Sequence, residues 1–203
     1  MAIKPILFNT EMVRAILDER KSCTRRLVKH GVESILNSPY HKAHPEVEDK
    51  QIISKLCQPP YQPGDILYVR ETWSEGYEEG TYIYRADDKL ADLPTFKESS
   101  KLIYHPSIHM PKEAARIWLK VTDVRVERLQ EITEKEAQAE GCNSGMITGL
   151  CTARWQFEEK WNSTIKKSDL DRYGWNADPY VWVIKFERCE KPEGWNTCID
   201  AIT

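Results

Sequence analysis

No apolar run in this 203-residue chain approaches the roughly 20 residues that a membrane-spanning helix needs, so no stretch reads as a transmembrane segment. The six cysteines (23, 57, 142, 151, 189 and 198) include no Cys-x-x-Cys pair, and no secretory signal opens the chain. Both absences argue against a disulfide framework and for free thiols in a reducing cytoplasm. Positive charge is not in excess: 29 Lys and Arg against 32 Asp and Glu leave a net charge of −3. That excludes a histone-like polycation and confines any nucleic-acid contact to a local patch. Internal repeats and low-complexity tracts are missing. Metal-ligand spacing is scarce. His41-x-x-His44 and His105-x-x-x-His109 are the candidate pairs, and Pro45 and Pro106 interrupt the helices that would put each pair on one face. A metal site is therefore not expected. The length suits one domain with a core, or a small barrel with insertions, and 1–203 reads as a single domain.

What is present is a local patch. From Arg20 to Lys29 there are five cationic side chains and no carboxylate, a one-sided run that attracts anions, phosphate first. In an extended chain Lys21, Cys23 and Arg25 point one way and Ser22, Thr24 and Arg26 the other. Bringing the Lys21 amine and the Thr24 hydroxyl to one point therefore predicts a turn or a helix end within the segment instead of a regular strand. The cations around Cys23 favour its thiolate, but a small buried filler is the preferred reading. Seven Trp and nine Tyr supply a core, with a minority left to stack on bases.

Residues 4–8 read as an apolar strand. Asn9 or Thr10 then caps a helix whose Met12, Val13, Ile16 and Leu17 share a face, and this helix delivers the basic run at its C-terminal end. Residues 31–60, with Asn37-Ser38-Pro39, His44-Pro45 and Pro59-Pro60, read as a long exposed insertion loop. Pro63-Gly64-Asp65 turns the chain into a strand at 66–70, with Glu71 and Trp73 just past its end. Residues 81–85 alternate as a strand, and 87–111 form a second irregular insertion. The stretches 114–121 and 124–129 are two strands or one long bent one. Thr133-x-x-Glu136 is a capping box that opens a helix ending at Gly141. It leaves Glu140 in the last turn, where the helix dipole disfavours a carboxylate and implies a partner cation or a raised pKa. A helix at 153–163 and a strong strand at 180–186 follow, with a peripheral tail from about 188. Strands scattered among short helices without βαβ alternation predict an α+β fold with a mainly antiparallel, barrel-like sheet.

A threonine hydroxyl becomes a nucleophile only when a base takes its proton. A lysine can be that base only if its pKa falls from about 10.4, the direction in which Arg20, Arg25 and Arg26 push Lys21. Arg26 can clamp a phosphate or carbonyl oxygen bidentately. Trp73 can stack on a base whose exocyclic amine donates to Glu71; the competing reading is a buried aromatic and a surface carboxylate. Tyr180 opens a core-like strand and is the residue there most able to reach a ligand.

The run Lys21-Ser22-Cys23-Thr24-Arg25-Arg26 resembles the Lys-Thr-x-Thr-x-Arg signature of the ASCH family, small β-barrels related to the PUA RNA-binding fold. Glu19 stands where the family usually has glycine. Gly64-Asp65-Ile66-Leu67-Tyr68-Val69 is similar to the strand that follows that signature. Thr133 to Glu140 is similar to the family's Thr-Glu-Lys-x-Ala-x-x-Glu helix start. The resemblance covers 6–26, 64–73, 117–141 and 180–187, leaves both insertions unexplained, and implies a PUA-like barrel with short flanking helices. Some bacterial ASCH proteins are amidohydrolases that remove the acyl group from N4-acetylcytidine with a Lys, a Thr and a Glu. Carried over, Thr24 attacks the amide carbonyl, Lys21 acts as base and Glu140 assists proton delivery to the leaving amine. The resemblance thus implies a metal-independent amidohydrolase of an acylated pyrimidine nucleoside or related small amide, needing no organic cofactor, with Arg20, Arg25, Arg26, Glu71, Trp73 and Tyr180 contacting substrate or nucleic acid. The alternatives are a non-catalytic RNA- or nucleotide-binding module and a ribonuclease. The expected partner is a modified nucleoside or RNA, not a membrane.

Overall fold

The structure, a computed structural model, describes residues 1–29, 31–88, 102–143 and 152–193. The chain groups into two compact units: Met1–Glu19, Gly64–Lys120 and Glu187–Thr203 in the first, Arg20–Pro63 and Val121–Phe186 in the second.

In the first unit, strand β1 (Ile3–Leu7) pairs in parallel with β3 (Ile66–Arg70), from Ile3 opposite Ile66 to Leu7 opposite Arg70. Asp65 fixes that start, accepting from the Ala2 amide at 2.9 Å and from Lys4 Nζ at 2.9 Å. Asn9 ends the strand and caps helix α1 (Thr10–Leu17), its side chain accepting from the Met12 amide, and the helix buries Val13, Ala15 and Ile16. β3 pairs antiparallel with the first residues of β6 (Trp118–Arg128), one long strand across the stretch where sequence allowed one or two. Strands β4 (Trp73–Glu75) and β5 (Tyr82–Tyr84) form an antiparallel hairpin. Gly76 sits so close to Thr81 in that hairpin that any Cβ would collide with it. The apolar centre gathers Ile66, Trp73, Met110, Ala114 and Trp118. Of the expected second insertion, residues 89–101 lie outside the described residues, and His105 pairs with Trp73.

In the second unit, β2 (Cys23–Leu27) pairs antiparallel with β7 (Tyr180–Cys189), from Cys23 opposite Lys185 to Leu27 opposite Val181. The turn expected inside 21–24 is therefore not there. The reversal falls earlier, at Glu19, whose φ of 58° is left-handed, so the segment after it runs extended. Residues 31–60 are not one irregular loop either. They fold into three short helices, α2 (Val32–Leu36), α3 (Pro39–Ala43) and α4 (Asp49–Leu56). Ser38 caps α3 with Pro39 at its first position, and α4 buries Ile52 and Ile53. Further along, α5 (Glu134–Ala139), α6 (Ala153–Thr164) and a single turn, α7 (Leu170–Tyr173), complete the unit. Glu134 ties two of them together by accepting from the Ala153 and Arg154 amides at the start of α6, at 2.6 and 3.1 Å. Leu129, Ile132, Phe157, Trp161, Trp175 and Val183 pack as the apolar centre, each buried side chain contributing about 1.5–3 kcal/mol.

The sheet order is β1-β3-β6-β7-β2, and the registered pairs other than β1–β3 are antiparallel. The result is a mixed α/β fold with a mostly antiparallel sheet and short helices. The expected barrel is not closed among the described residues, because β1 and β2 each have a single neighbour. The loop expected after Asn143 and the far end of the tail fall on 144–151 and 194–203, outside the described residues, as do Cys151 and Cys198. Among the described residues no helix is long and apolar enough to cross a membrane.

Candidate functional site

Helix α5 begins with the expected capping box: the Thr133 side chain accepts from the Glu136 amide, and the Glu136 carboxylate accepts from Thr133. It ends on Gly141 at φ 88°, with Gly141 N–H donating to Gln138 O and Cys142 N–H to Ala137 O, the paired bonds of a Schellman motif. This geometry leaves the carbonyls of Ala139, Glu140 and Gly141 facing the basic run, which satisfies all three. Ser22 N–H donates to Ala139 O at 2.9 Å, Lys21 Nζ to Glu140 O at 2.9 Å and Arg20 Nη1 to Gly141 O at 3.4 Å. Lys21 and Glu140 form an antiparallel bridge through their backbones. Cations are thus concentrated at the negative end of a helix dipole.

The same contact joins side chains 119 positions apart in sequence: Lys21 Nζ lies 2.7 Å from Glu140 Oε2 and also donates to Cys23 O at 2.7 Å. The Lys21 side chain has 0% exposure and that of Glu140 5%, so the pair is shielded from water. The carboxylate expected to be uncomfortable at a helix end has partner cations, Lys21 and Arg25. Arg25 reaches Glu140 Oε1 at 3.3 Å, Glu127 at 3.2 Å and Glu136 at 3.3 Å. Its side chain is fully enclosed, and its guanidinium packs 5.7 Å from the Phe157 ring centroid. Arg125 extends the network to Asp123, Glu127 and Glu136. Burial pushes the Glu136 carboxyl upward, but its Thr133 bonds and the Arg25 charge outweigh that and hold it below the ordinary carboxylate value.

Thr24 is buried on β2, and its Oγ1 accepts from Arg26 Nη1 at 2.7 Å. The alternation read from the sequence explains that contact, since Thr24 and Arg26 are two apart on one strand. Burial lowers Arg26 from its ordinary value, while the Glu140 carboxylate and the Tyr61 phenol oppose the shift, so Arg26 senses both groups. Thr24 and Arg26 share one face of β2 and Cys23 and Arg25 the other, and among the described residues no hydrogen bond joins the Thr24 hydroxyl to Lys21 or Glu140. Cys23 follows the preferred of its two readings: burial, followed by the Glu140 charge, pushes its thiol up to about 12 against the pull of Lys21 and Arg25. Desolvation outweighs the basic neighbours, and Cys23 is a buried filler.

The other candidates fall as follows. Arg20 is exposed beside Asn143. Tyr180 is buried, donates its hydroxyl to Asp49 at 2.7 Å, and carries the Arg128 guanidinium over its ring at 3.8 Å. Glu71 and Trp73 belong to the first unit. Glu71 is not a surface carboxylate: it is buried and held by Arg116 through both oxygens, at 2.9 and 3.0 Å, and Arg116 in turn reaches Asp87 and lies 3.9 Å from the Tyr84 ring centroid. Burial raises Glu71 above its ordinary value against the pull of Arg116. Trp73 is a buried aromatic packed on Tyr82 and His105, and its indole N–H has no hydrogen-bond partner among the described residues. Among the described residues no group of three or more His, Cys, Asp or Glu is placed to hold a metal ion.

The chain is similar in structure to an ASCH domain from Lactobacillus crispatus JV V101, with a TM-score of 0.44 and 12% identity over 92% of this chain and 79% of that one. It is also similar to protein EF3133 from Enterococcus faecalis V583, family-model DUF984, with a TM-score of 0.42 and 14% identity over 93% of this chain and 76% of that one. No family model and no curated protein matches the sequence.

Sequence reading missed Tyr61, Glu127, Glu136 as an Arg25 partner, and Arg125. Arg125 and Glu127 did carry a signal. They stand two apart in a strand whose alternate residues Val124 and Val126 are apolar, the pattern of a charged face awaiting opposite charge. Tyr61 sits between prolines and carried none.

Proposed function

We propose that this protein is an ASCH-type amidohydrolase acting on an acylated pyrimidine nucleoside, N4-acetylcytidine or a close relative, with Thr24 as nucleophile, Lys21 as base and Glu140 as proton donor to the leaving amine. The carrying observation is the shielded 2.7 Å contact between Lys21 Nζ and Glu140 Oε2. Three matched motif positions support the reading beside it. Away from water the charged and neutral forms of such a pair lie closer in energy than in bulk solvent. Moving the shared proton from Nζ to Oε2 creates a neutral amine and a protonated acid in one step. The amine then takes the Thr24 hydroxyl proton as Oγ1 attacks the amide carbonyl, and Glu140 delivers its proton to the departing exocyclic nitrogen. Water, activated by the reverse sequence, cleaves the Thr24 ester and restores the site. Arg26 supports this scheme by donating to Thr24 Oγ1, a contact that leaves the hydroxyl proton free for a base and favours the developing alkoxide.

Arg25 does not support the alternative of a phosphate clamp, because three carboxylates enclose it. The test is incubation with N4-acetylcytidine while acetate release is followed. The reading expects turnover that Lys21→Ala, Thr24→Ala and Glu140→Ala each abolish in folded protein. Unchanged substrate together with salt-sensitive RNA binding would replace it with the binding-module reading.

A further inference from the structure

We propose a second ligand site in the second unit, a cavity that takes a phosphate-bearing ligand through Arg128, Lys29 and Arg172. The cavity measures about 370 Å³, and its walls come from the end of the basic run, helix α2, the end of β6, helix α7 and the start of β7. That volume falls within the ~300–1,000 Å³ typical of small-molecule sites. Its lining holds three cations against one carboxylate, Glu33, an excess of two positive charges that matches a phosphate monoester dianion.

Arg128 is the central residue, because it is held in place without a salt bridge to any described residue, the Glu131 carboxylate feeling its charge only at longer range. Its Nη1 donates to Asp178 O at 3.0 Å, and its guanidinium rests 3.8 Å from the centroid of the Tyr180 ring. Tyr180 is itself fixed: its hydroxyl donates to Asp49 Oδ2 at 2.7 Å, and Asp49 Oδ1 meets His41 Nε2 at 2.9 Å. A chain of contacts from α3 and α4 through β7 thus orients one planar fork of donors, yet Arg128 makes no ion pair with any described residue. A guanidinium with a fixed plane and free N–H groups is suited to bidentate phosphate recognition. Lys29, the last cation of the basic run, lines the same cavity, is exposed, and likewise has no ion-pair partner among the described residues. Among the described residues Arg172 is ion-paired with the exposed Glu33 alone, at 3.3 Å, a contact weak enough for an incoming anion to displace. Tyr173 offers an aromatic wall.

The ligand is either a free nucleotide phosphate or the backbone phosphate of a single-stranded RNA. Full-length protein is titrated calorimetrically at low salt with uridine 5′-monophosphate, with uridine, and with an octauridylate. The monophosphate or the octamer is expected to bind at least tenfold more tightly than uridine. Arg128→Gln should weaken that binding about tenfold or more, and Lys29→Gln about two- to fivefold. Preference for the monophosphate identifies a free nucleotide. Preference for the octamer, with the salt slope of log K reduced by about 0.7 in each variant, identifies the backbone. Lys29→Gln alters an exposed side chain and keeps the test decisive if Arg128→Gln does not fold. Uridine binding as tightly as both phosphates, no binding of either phosphate, or full affinity in the variants would overturn the proposal. None of these outcomes depends on the amide chemistry at Thr24.

Discussion

Replacing Glu140 by Gln keeps the shape of the side chain and removes the charge that Lys21 and Arg25 share. Oε2 lies 2.7 Å from Lys21 Nζ and Oε1 3.3 Å from Arg25 Nη1, with both cationic side chains at 0% exposure. Arg25 keeps Glu127 and Glu136, so its loss is partial. Lys21 keeps the carbonyls of Cys23 and Glu140 but loses the carboxylate 2.7 Å away, so it bears the larger penalty. Breaking a buried pair from one side costs about 3–5 kcal/mol. For a chain of this length, at about 2–4 °C per kcal/mol, that is a fall in melting temperature of roughly 6–20 °C. Lys21→Met alone should cost a similar amount. The double variant should cost less than the sum of the singles by about 1–3 kcal/mol, because it removes both charges of the pair together. Chemical denaturation of the four proteins measures the cycle. A Glu140→Gln loss below about 1 kcal/mol, or strict additivity, would refute the claim that the two residues share a buried contact.

Glu19 occupies a left-handed backbone position, exposed and at φ 58°, that a side chain makes costly. Glu19→Gly should therefore stabilise the protein by up to about 1 kcal/mol in urea denaturation, and a loss of stability would count against a native left-handed turn there. The Cys23 thiol, pushed up to about 12, should resist iodoacetamide at pH 8 in the native protein and react once guanidinium unfolds it, as read by peptide mass. The acid response follows from signs. Glu136 and Glu131 are held below their ordinary value, so they contribute stability that is present above that value of 4.5 and lost as pH falls through their folded values. Glu71 is raised, so its contribution runs the other way and diminishes as pH rises through its folded value. Glu136→Gln should flatten the decline of stability between pH 5 and 3; a parallel decline in variant and parent would remove Glu136 as a source.

Where local chemistry decides structure, the sequence was readable. Pro63-Gly64-Asp65 before Ile66–Arg70, the Thr133 capping box and the apolar run of β7 each produced the expected element. The helices within 31–60 were not foreseen because two of them span five residues, too few to show an apolar stripe. Ser38-Pro39 nonetheless held a cap-and-first-turn signal that went unread. The bend was misplaced for a related reason. Glutamate is not a residue that advertises a left-handed conformation, and only comparison with a motif carrying glycine at position 19 made that position notable. Alternation along β2 puts Thr24 beside Arg26 and Cys23 beside Arg25, where Arg25 Nη1 lies 3.9 Å from Cys23 Sγ, contacts that the turn expected within 21–24 would have broken. Nothing local could have joined Lys21 to Glu140 across 119 positions. That pairing is a property of how the end of α5 meets the basic run, and in the sequence it was visible only through the motif resemblance.

The most direct measurement is acid-quenched peptide mapping of the protein during reaction with N4-acetylcytidine. The account predicts an acetyl ester on the Thr24 side chain that appears before steady release of acetate and is absent in Thr24→Val. A fully folded protein that leaves N4-acetylcytidine intact, or a Thr24→Val variant that hydrolyses it at the parental rate, would contradict it.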